Sequence, residues 1–403
     1  MTFAHLPRGV VALGFVSLFM DLSSEMIHSL LPLFLVSALG ASALSVGLIE
    51  GIAEATAALA KLVSGMWSDR VGRRKPLLLL GYGMAALTKP LFPLASGVGA
   101  VLLARFLDRI GKGLRGAPRD ALLADITPQA LRGAAYGLRQ ALDTTGAILG
   151  PLVALALMAA TGDDFRAVFW IATIPALVCV ALILVAVDEP EATRPPAQAG
   201  ARFARSELRR LGGHFWWVVA CASVLTLARF SEAFLLLRAE HLGLAATWVP
   251  GVLIVMNLFY AASAYPFGRL ADSGGRHRLL AAGIALLVVA DLVLAAADGI
   301  VWGLVGAAIW GLHMGATQGL LSAWVADAVP ADLRGTGFGV FNFASGVALL
   351  AASLIAGGLW TWLGPAMTFV AGALFASLAL LGFAAGGGVS MDGYRNDDET
   401  DST

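Results

Sequence analysis

Charge is scarce in this sequence. Asp, Glu, Lys and Arg make up 13% of its 403 residues, against roughly a quarter in an ordinary soluble domain. The formal net charge is zero, which removes the basic face that a nucleic-acid partner needs, so none is expected. Cysteine is nearly absent. Cys179 and Cys221 both sit in apolar runs and read as buried small hydrophobes rather than as a disulfide. Also lacking are a paired nucleophile and base, a nucleotide-binding glycine loop and a sizeable polar domain. Neither enzyme chemistry nor a cofactor is therefore expected. No small-residue cleavage site follows the first apolar run, which reads as a retained helix rather than a signal peptide.

Apolar residues are abundant instead, at 58%, with a mean hydropathy of +0.80. They come in blocks of about 20, the length that crosses about 30 Å of hydrocarbon at 1.5 Å per residue. With no water there to satisfy the backbone, long unalternating runs must be helices. Spans are read near 9–37, 44–66, 76–96, 98–118, 134–158, 167–187, 216–237, 246–267, 279–297, 300–324, 336–358 and 365–386. The expected class is an all-α integral membrane protein with twelve transmembrane helices. A polar stretch rich in proline and arginine divides them. Residues 1–187 form an N-terminal six-helix bundle, 188–215 a cytoplasmic linker and 216–390 a C-terminal six-helix bundle. The acidic tail 391–403 is expected to be disordered.

Basic residues set the orientation. Even-numbered spans are followed by Arg70, Arg73, Arg74 and Lys75, by Arg132, by Arg194, Arg202, Arg205, Arg209 and Arg210, and by Arg269, Arg276 and Arg278. Odd-numbered spans are followed by Arg166 and Arg238, each beside acids. Both termini are expected in the cytoplasm, and the chain as a multi-pass protein of the cell membrane.

Two loop motifs recur. Gly65, Asp69, Gly72 and Arg73 reappear as Gly268, Asp272, Gly275 and Arg276, each at an offset of 203. Ala124-Asp125, Pro128 and Leu131-Arg132-Gly133 reappear as Ala326-Asp327, Pro330 and Leu333-Arg334-Gly335, at 202. Two unrelated motifs at one period mark a duplicated six-helix unit. The first loop, Gly65-Met-Trp-Ser-Asp69-Arg70-Val-Gly72-Arg73-Arg74, resembles motif A of the major facilitator superfamily at every position; the second copy has Ser273 in place of Arg70. The resemblance spans the chain in helix count, repeat and polarity. It implies two pseudo-symmetric six-helix bundles rocking about a site near the bilayer midplane. Asp69 and Asp272 with their flanking arginines then read as charge latches of one access state, while the plainer reading is that basic loops stay inside.

The fourth span carries Arg105, Asp108, Arg109, Lys112, Arg115 and Arg119, within an arc of about 140° at 100° per residue. Each central charge costs about 2.5–3.5 kcal/mol against lipid, so the four from Arg105 to Lys112 would cost roughly 10–14. The stripe must face protein or water. The matching positions of the second half are Ala307, Trp310, Gly311 and Met314, so the architecture itself does not require these charges. Acidic partners are available in Asp21, Glu25 and His28, bordered by Ser24, and in Glu50 and Glu54 with Lys61 further along. The fifth span adds Arg139 and Asp143. If rocking separates an acid from its arginine, the acid takes up and releases a proton. A permanently paired network cementing one bundle is the alternative. Arg105 begins a segment resembling the family's motif B, with Asp108-Arg109 replacing the usual glutamine-glycine. Gly137, Gly146 and Gly150-Pro151 resemble motif C, the antiporter motif, with its trailing glycines lost. Gly146 and Gly150 are also a small-xxx-small pair for close helix packing.

By family analogy the first, fourth, seventh and tenth spans line the cavity. Candidate substrate contacts are Ser24, His28, Arg229, Glu232, Trp310, His313 and Thr317, joined by Asn257, Tyr260, Asn342 and Ser345. Expected partners are a small-molecule substrate, protons and the lipid bilayer, and the protein is expected to be a monomer. The leading expectation is proton-coupled efflux of a small organic molecule. Proton-symport uptake stays open, as does export of a transition metal or metal chelate, for which Asp21 and Glu25-x-x-His28 have a possible spacing.

Overall fold

The computed structural model describes residues 7–71, 74–128, 131–188, 208, 210–272, 276–329 and 333–386. The helices among these residues group into twelve. They are α1 (Arg8–His28, continued by Leu31–Leu33 and a π turn, Phe34–Ala38), α2 (Ala43–Val71), α3 (Lys75–Thr88, continued by Leu91–Leu94) and α4 (Val98–Asp125). Then come α5 (Arg132–Thr161), α6 (Phe165–Ala186), α7 (Gly213–Ala228, continued by Ala233–His241) and α8 (Pro250–Asp272). The last four are α9 (Arg276–Ala296), α10 (Ile300–Asp327), α11 (Arg334–Leu363) and α12 (Pro365–Gly386). Among the described residues, eleven of these are long and apolar enough to cross a membrane; the exception is α4, which has the length but carries the charged stripe.

The repeat survives in three dimensions. α4 and α10 both have 28 residues, α5 and α11 both have 30, and each pair starts 202 residues apart. Gly97 and Gly299 precede α4 and α10 with the same extended backbone. α1 and α7 both break, where the sequence read continuous spans. Pro32 lacks the N–H that would carry α1 across its gap, and in α7 the Ser231 hydroxyl accepts the Ala233 N–H at 3.2 Å and restarts the helix.

Within the N-terminal half, α1 packs on α5 and α6, and α4 on α2 and α3; within the other half, α10 packs on α8 and α9, and α12 on α7 and α9. The halves meet through α2 with α11 and α5 with α8. Glycines allow the first approach: a Cβ on Gly51 would sit 3.1 Å from the Leu350 Cα, and one on Gly357 2.8 Å from the Ala43 carbonyl. The closest of these approaches, at Gly47, Gly51 and Gly357, lie toward the end away from the termini. There one apolar core, from Phe34 and Phe169 to Phe234 and Trp310, belongs to both halves. At the terminal end the cores are separate: Val10, Tyr82, Leu123 and Ile183 in one half, Phe215, Val325 and Leu333 in the other. Among the described residues the halves therefore close at one end and part at the other. Leu87, Val185 and Leu381 stand 67–85% exposed on the rim, where only lipid would accept so much apolar surface.

Two arginines that interrupt the charge pattern cap helix ends. Arg166 donates to the Pro93 and Ala95 carbonyls (2.6 and 2.9 Å), and Arg238 to those of Leu294, Ala295 and Ala297 (3.0, 3.4 and 2.7 Å).

Candidate functional site

The charged stripe of α4 is met from three sides. Toward α2, the Arg105 Nη2 donates to Glu50 Oε2 at 2.8 Å, and Arg109 Nη1 lies 3.3 Å from Glu54 Oε1. Toward α3, Asp108 Oδ1 accepts from Lys89 Nζ at 3.0 Å, and the Arg115 guanidinium lies 4.8 Å from the centre of the Tyr82 ring. Toward the terminal end, Arg119 reaches Ser17 and Asp120 at 3.1 Å and Asp143 at 3.7 Å, and Arg139 joins Asp143 at 3.4 Å. Glu50, Lys89, Arg105, Asp108, Arg109 and Arg115 are all buried. Apart from exposed Lys112, these charges of the stripe thus face protein, which removes most of the lipid penalty expected from the sequence.

His28 joins two acids. Its Nδ1 lies 3.6 Å from Glu25, and its Nε2 3.3 Å from Glu50, which also holds Arg105. Both ring nitrogens are thereby engaged, and among the described residues no three His, Cys, Asp or Glu side chains gather as metal ligands. Glu25, and Asp21 one turn before it, are held in place on α1 because α5 comes close to it. A Cβ on Gly150 would meet the Glu25 Cβ at 2.5 Å, and one on Gly146 the Asp21 Cβ at 3.1 Å. The glycines of the third motif thus seat the acids of α1. Pro151 is buried in the same helix.

Half-exposed Glu25 and Glu54 and exposed Lys112 give the N-terminal half a polar wall. Across from it Glu232, in the break of α7, is within electrostatic reach of His28, Glu25 and Glu54, and Arg229 is within reach of Glu232 and Tyr260. Tyr260 donates to Gln318 of α10 at 2.7 Å; Asn257 is half-buried and Asn342 exposed.

The structure corrects part of the expected substrate set. Trp310, His313 and Thr317 are 0–2% exposed and lie inside the C-terminal half. Trp310 packs on Phe230, with ring centres 5.4 Å apart, and His313 Nδ1 is bonded to the Gly283 carbonyl at 2.6 Å. α10 turns its other side to the space between the halves because its small residues, Gly311 and Gly315, are packed against α8. Asp108 is likewise turned from the acids of α1 and α2 toward Lys89 and α3.

Of the loop residues, Arg74 Nε and Asp125 Oδ2 pair at 2.7 Å, which ties the first recurrent motif to the second. Gly72 and Arg73 lie outside the described residues. So do the side chains of Gly65, Asp69, Arg70, Arg132, Gly137, Gly268, Asp272, Arg276, Asp327 and Arg334, residues 189–207 and 209 of the linker, and the tail. Lys89, Tyr82, Ser17, Asp120 and Gln318 were not singled out from the sequence. Lys89 had a usable signal, a single cation in an apolar run. The others are ordinary residues until the fold brings them to an arginine or a tyrosine.

The sequence profile of the Major Facilitator Superfamily matches residues 13–353. The chain is 32% identical over 394 residues to an uncharacterized MFS-type transporter of Methanocaldococcus jannaschii, covering 93% of this chain and 94% of that one. It is 31% identical over 162 residues to the multidrug resistance protein MdtH of Yersinia pestis, covering 40% of this chain and 39% of that one. The crystal structure of the nucleoside transporter NupG superposes with a TM-score of 0.77 at 13% identity, covering 94% of this chain and 99% of that one. Twelve helices in two matched halves, the recurrent loops and the whole-chain likeness agree: this chain belongs to the Major Facilitator Superfamily and is a multi-pass membrane transporter, not an enzyme.

Proposed function

We propose that this transporter exports a small, charged or amphiphilic organic molecule in exchange for protons. The observation that carries the reading is His28 held between Glu25 and Glu50 at the seam of the halves, with Glu232 of the other half within electrostatic reach of it. Acids at such a point meet water from one side at a time as the halves rock, which is what exchange of a proton for a solute requires. The basic loops lie at the terminal end, so that end is the cytoplasmic one and the parted halves open toward the cytoplasm. The glycines resembling the antiporter motif, which seat the α1 acids, support export over uptake. So does the partial likeness to a multidrug resistance protein.

Growth of an overexpressing strain and a deletion strain against a panel of organic cations, anions and zwitterions identifies a transported compound. Purified protein in liposomes with an acidic lumen is then given that compound. Antiport predicts a rise of lumenal pH as the compound enters, abolished by Glu25→Gln and by Arg109→Ala in normally inserted protein. A fall in lumenal pH means symport, and unchanged flux in both variants refutes the assignment of these residues.

A further inference from the structure

In the C-terminal half one acid stands apart from every network described above. Asp291, on α9, is 0% exposed, and neither carboxyl oxygen has a hydrogen-bond partner. Its place is built rather than accidental. A Cβ on Gly372 of α12 would lie 2.5 Å from Asp291 Oδ2 and 3.0 Å from the Phe230 ring. The carboxyl therefore occupies room that only a glycine leaves, against a ring set in the break of α7. Phe230 in turn packs on Phe234, Trp310 and Phe369, with ring centres 5.4–5.6 Å apart, so the seal over the acid is aromatic.

The repeat sharpens the anomaly. At the offset of 202 that relates α4 to α10, the counterpart of Asp291 is Lys89, and the counterpart of Lys89's partner Asp108 is Trp310. The first half fills this position with a neutralised ion pair. The second reverses the sign and replaces the partner by an indole. No described charged group from the surrounding elements answers the carboxyl. In the break of α7, Arg229 and Glu232 flank Phe230 without forming an ion pair with Asp291. Arg238 is committed to carbonyls at the end of α9. His313 of α10 is bonded to Gly283, and α12 has no charged residue.

An acid in hydrocarbon without a partner is a functional group by default. A calcium or magnesium ion needs six or more oxygens around it and a zinc ion about four ligands, whereas a proton needs one carboxyl. We propose that Asp291 binds a proton that couples to the access change: protonated and sealed in the state described here, exposed and ionised when the break of α7 rearranges. This rests on the proton-exchange reading above and places one of its protons in the C-terminal half.

The test needs no substrate. Full-length protein in liposomes is titrated by infrared spectroscopy. The C=O stretch of a protonated carboxylic acid is expected at neutral pH, lost in Asp291→Asn and displaced but retained in Asp291→Glu. The same proteins, with Cys179 and Cys221 replaced by Ala, are spin-labelled at Ser42→Cys and Trp248→Cys, on opposite halves at the closed end. Wild type is expected to shift its distance distribution with pH and Asp291→Asn to lose the shift. A carboxylic-acid band unchanged in Asp291→Asn, or a pH response retained in it, overturns this inference alone. No pH response in wild type overturns proton coupling, and this inference with it.

Discussion

Lys89 and Asp108 make a sharp test of which buried charges are scaffold. Their side chains are 2% and 5% exposed, and Nζ lies 3.0 Å from Oδ1, with the Ser24 hydroxyl as the further partner of Lys89. Lys89→Met keeps volume but leaves Asp108 buried against arginines alone, and Asp108→Leu leaves Lys89 with a single hydroxyl. Removing one member of a buried pair costs about 3–5 kcal/mol, whereas replacing both by apolar groups is about neutral. Each single variant should therefore lose about 4 kcal/mol, roughly a thousand-fold in the ratio of folded to unfolded protein. The double variant should recover most of that. Unfolding by sodium dodecyl sulfate in mixed micelles, followed by tryptophan fluorescence, gives the four corners of the cycle. Because the pair is turned away from the acids of α1 and α2, the double variant should also transport at the wild-type rate. Single variants costing under about 1 kcal/mol, or a double variant as unstable as the sum of the singles, would refute the reasoning.

Gly150→Ala puts a methyl group 2.5 Å from the Glu25 Cβ and so forces α1 and α5 apart. A loss of about 1–3 kcal/mol is expected in the same unfolding assay, together with weaker coupling of proton and solute flux. Arg74→Ala and Asp125→Ala break the 2.7 Å link between the recurrent loops. Both should raise labelling of cysteines placed at the closed end, and the exchanged pair Arg74→Asp with Asp125→Arg should restore the wild-type pattern. Equal labelling in all four proteins removes the link from the access change.

Much of this architecture was legible in the chain. Helix count and the turning of most of helix 4's charges away from lipid follow from how lipid treats charge and bare backbone, and the division into halves from the repeat. The breaks in α1 and α7 were not legible as spans, because both segments stay apolar across the gap and the hydropathy pattern records no interruption. Arg166 and Arg238 read as exceptions to a charge rule until the carbonyls they cap came into view. Asp291 was passed over because its partner-free state is a fact about α7 and α12, not about its neighbours in sequence.

By itself the sequence determined solvent, helix number, repeat and family, since each depends on local composition or on a fixed offset along one chain. Which charges meet was left to tertiary structure. A stripe at helical spacing points all its members one way within about 140°. Neighbouring helices then divide that arc, giving Glu50 and Glu54 to two arginines and Lys89 to Asp108, while the packing of α10 on α8 sends Trp310 and His313 to the interior of the second half. The physical reason is that partner choice depends on distances of a few ångströms between segments tens of residues apart. No pattern read along a single chain carries that distance.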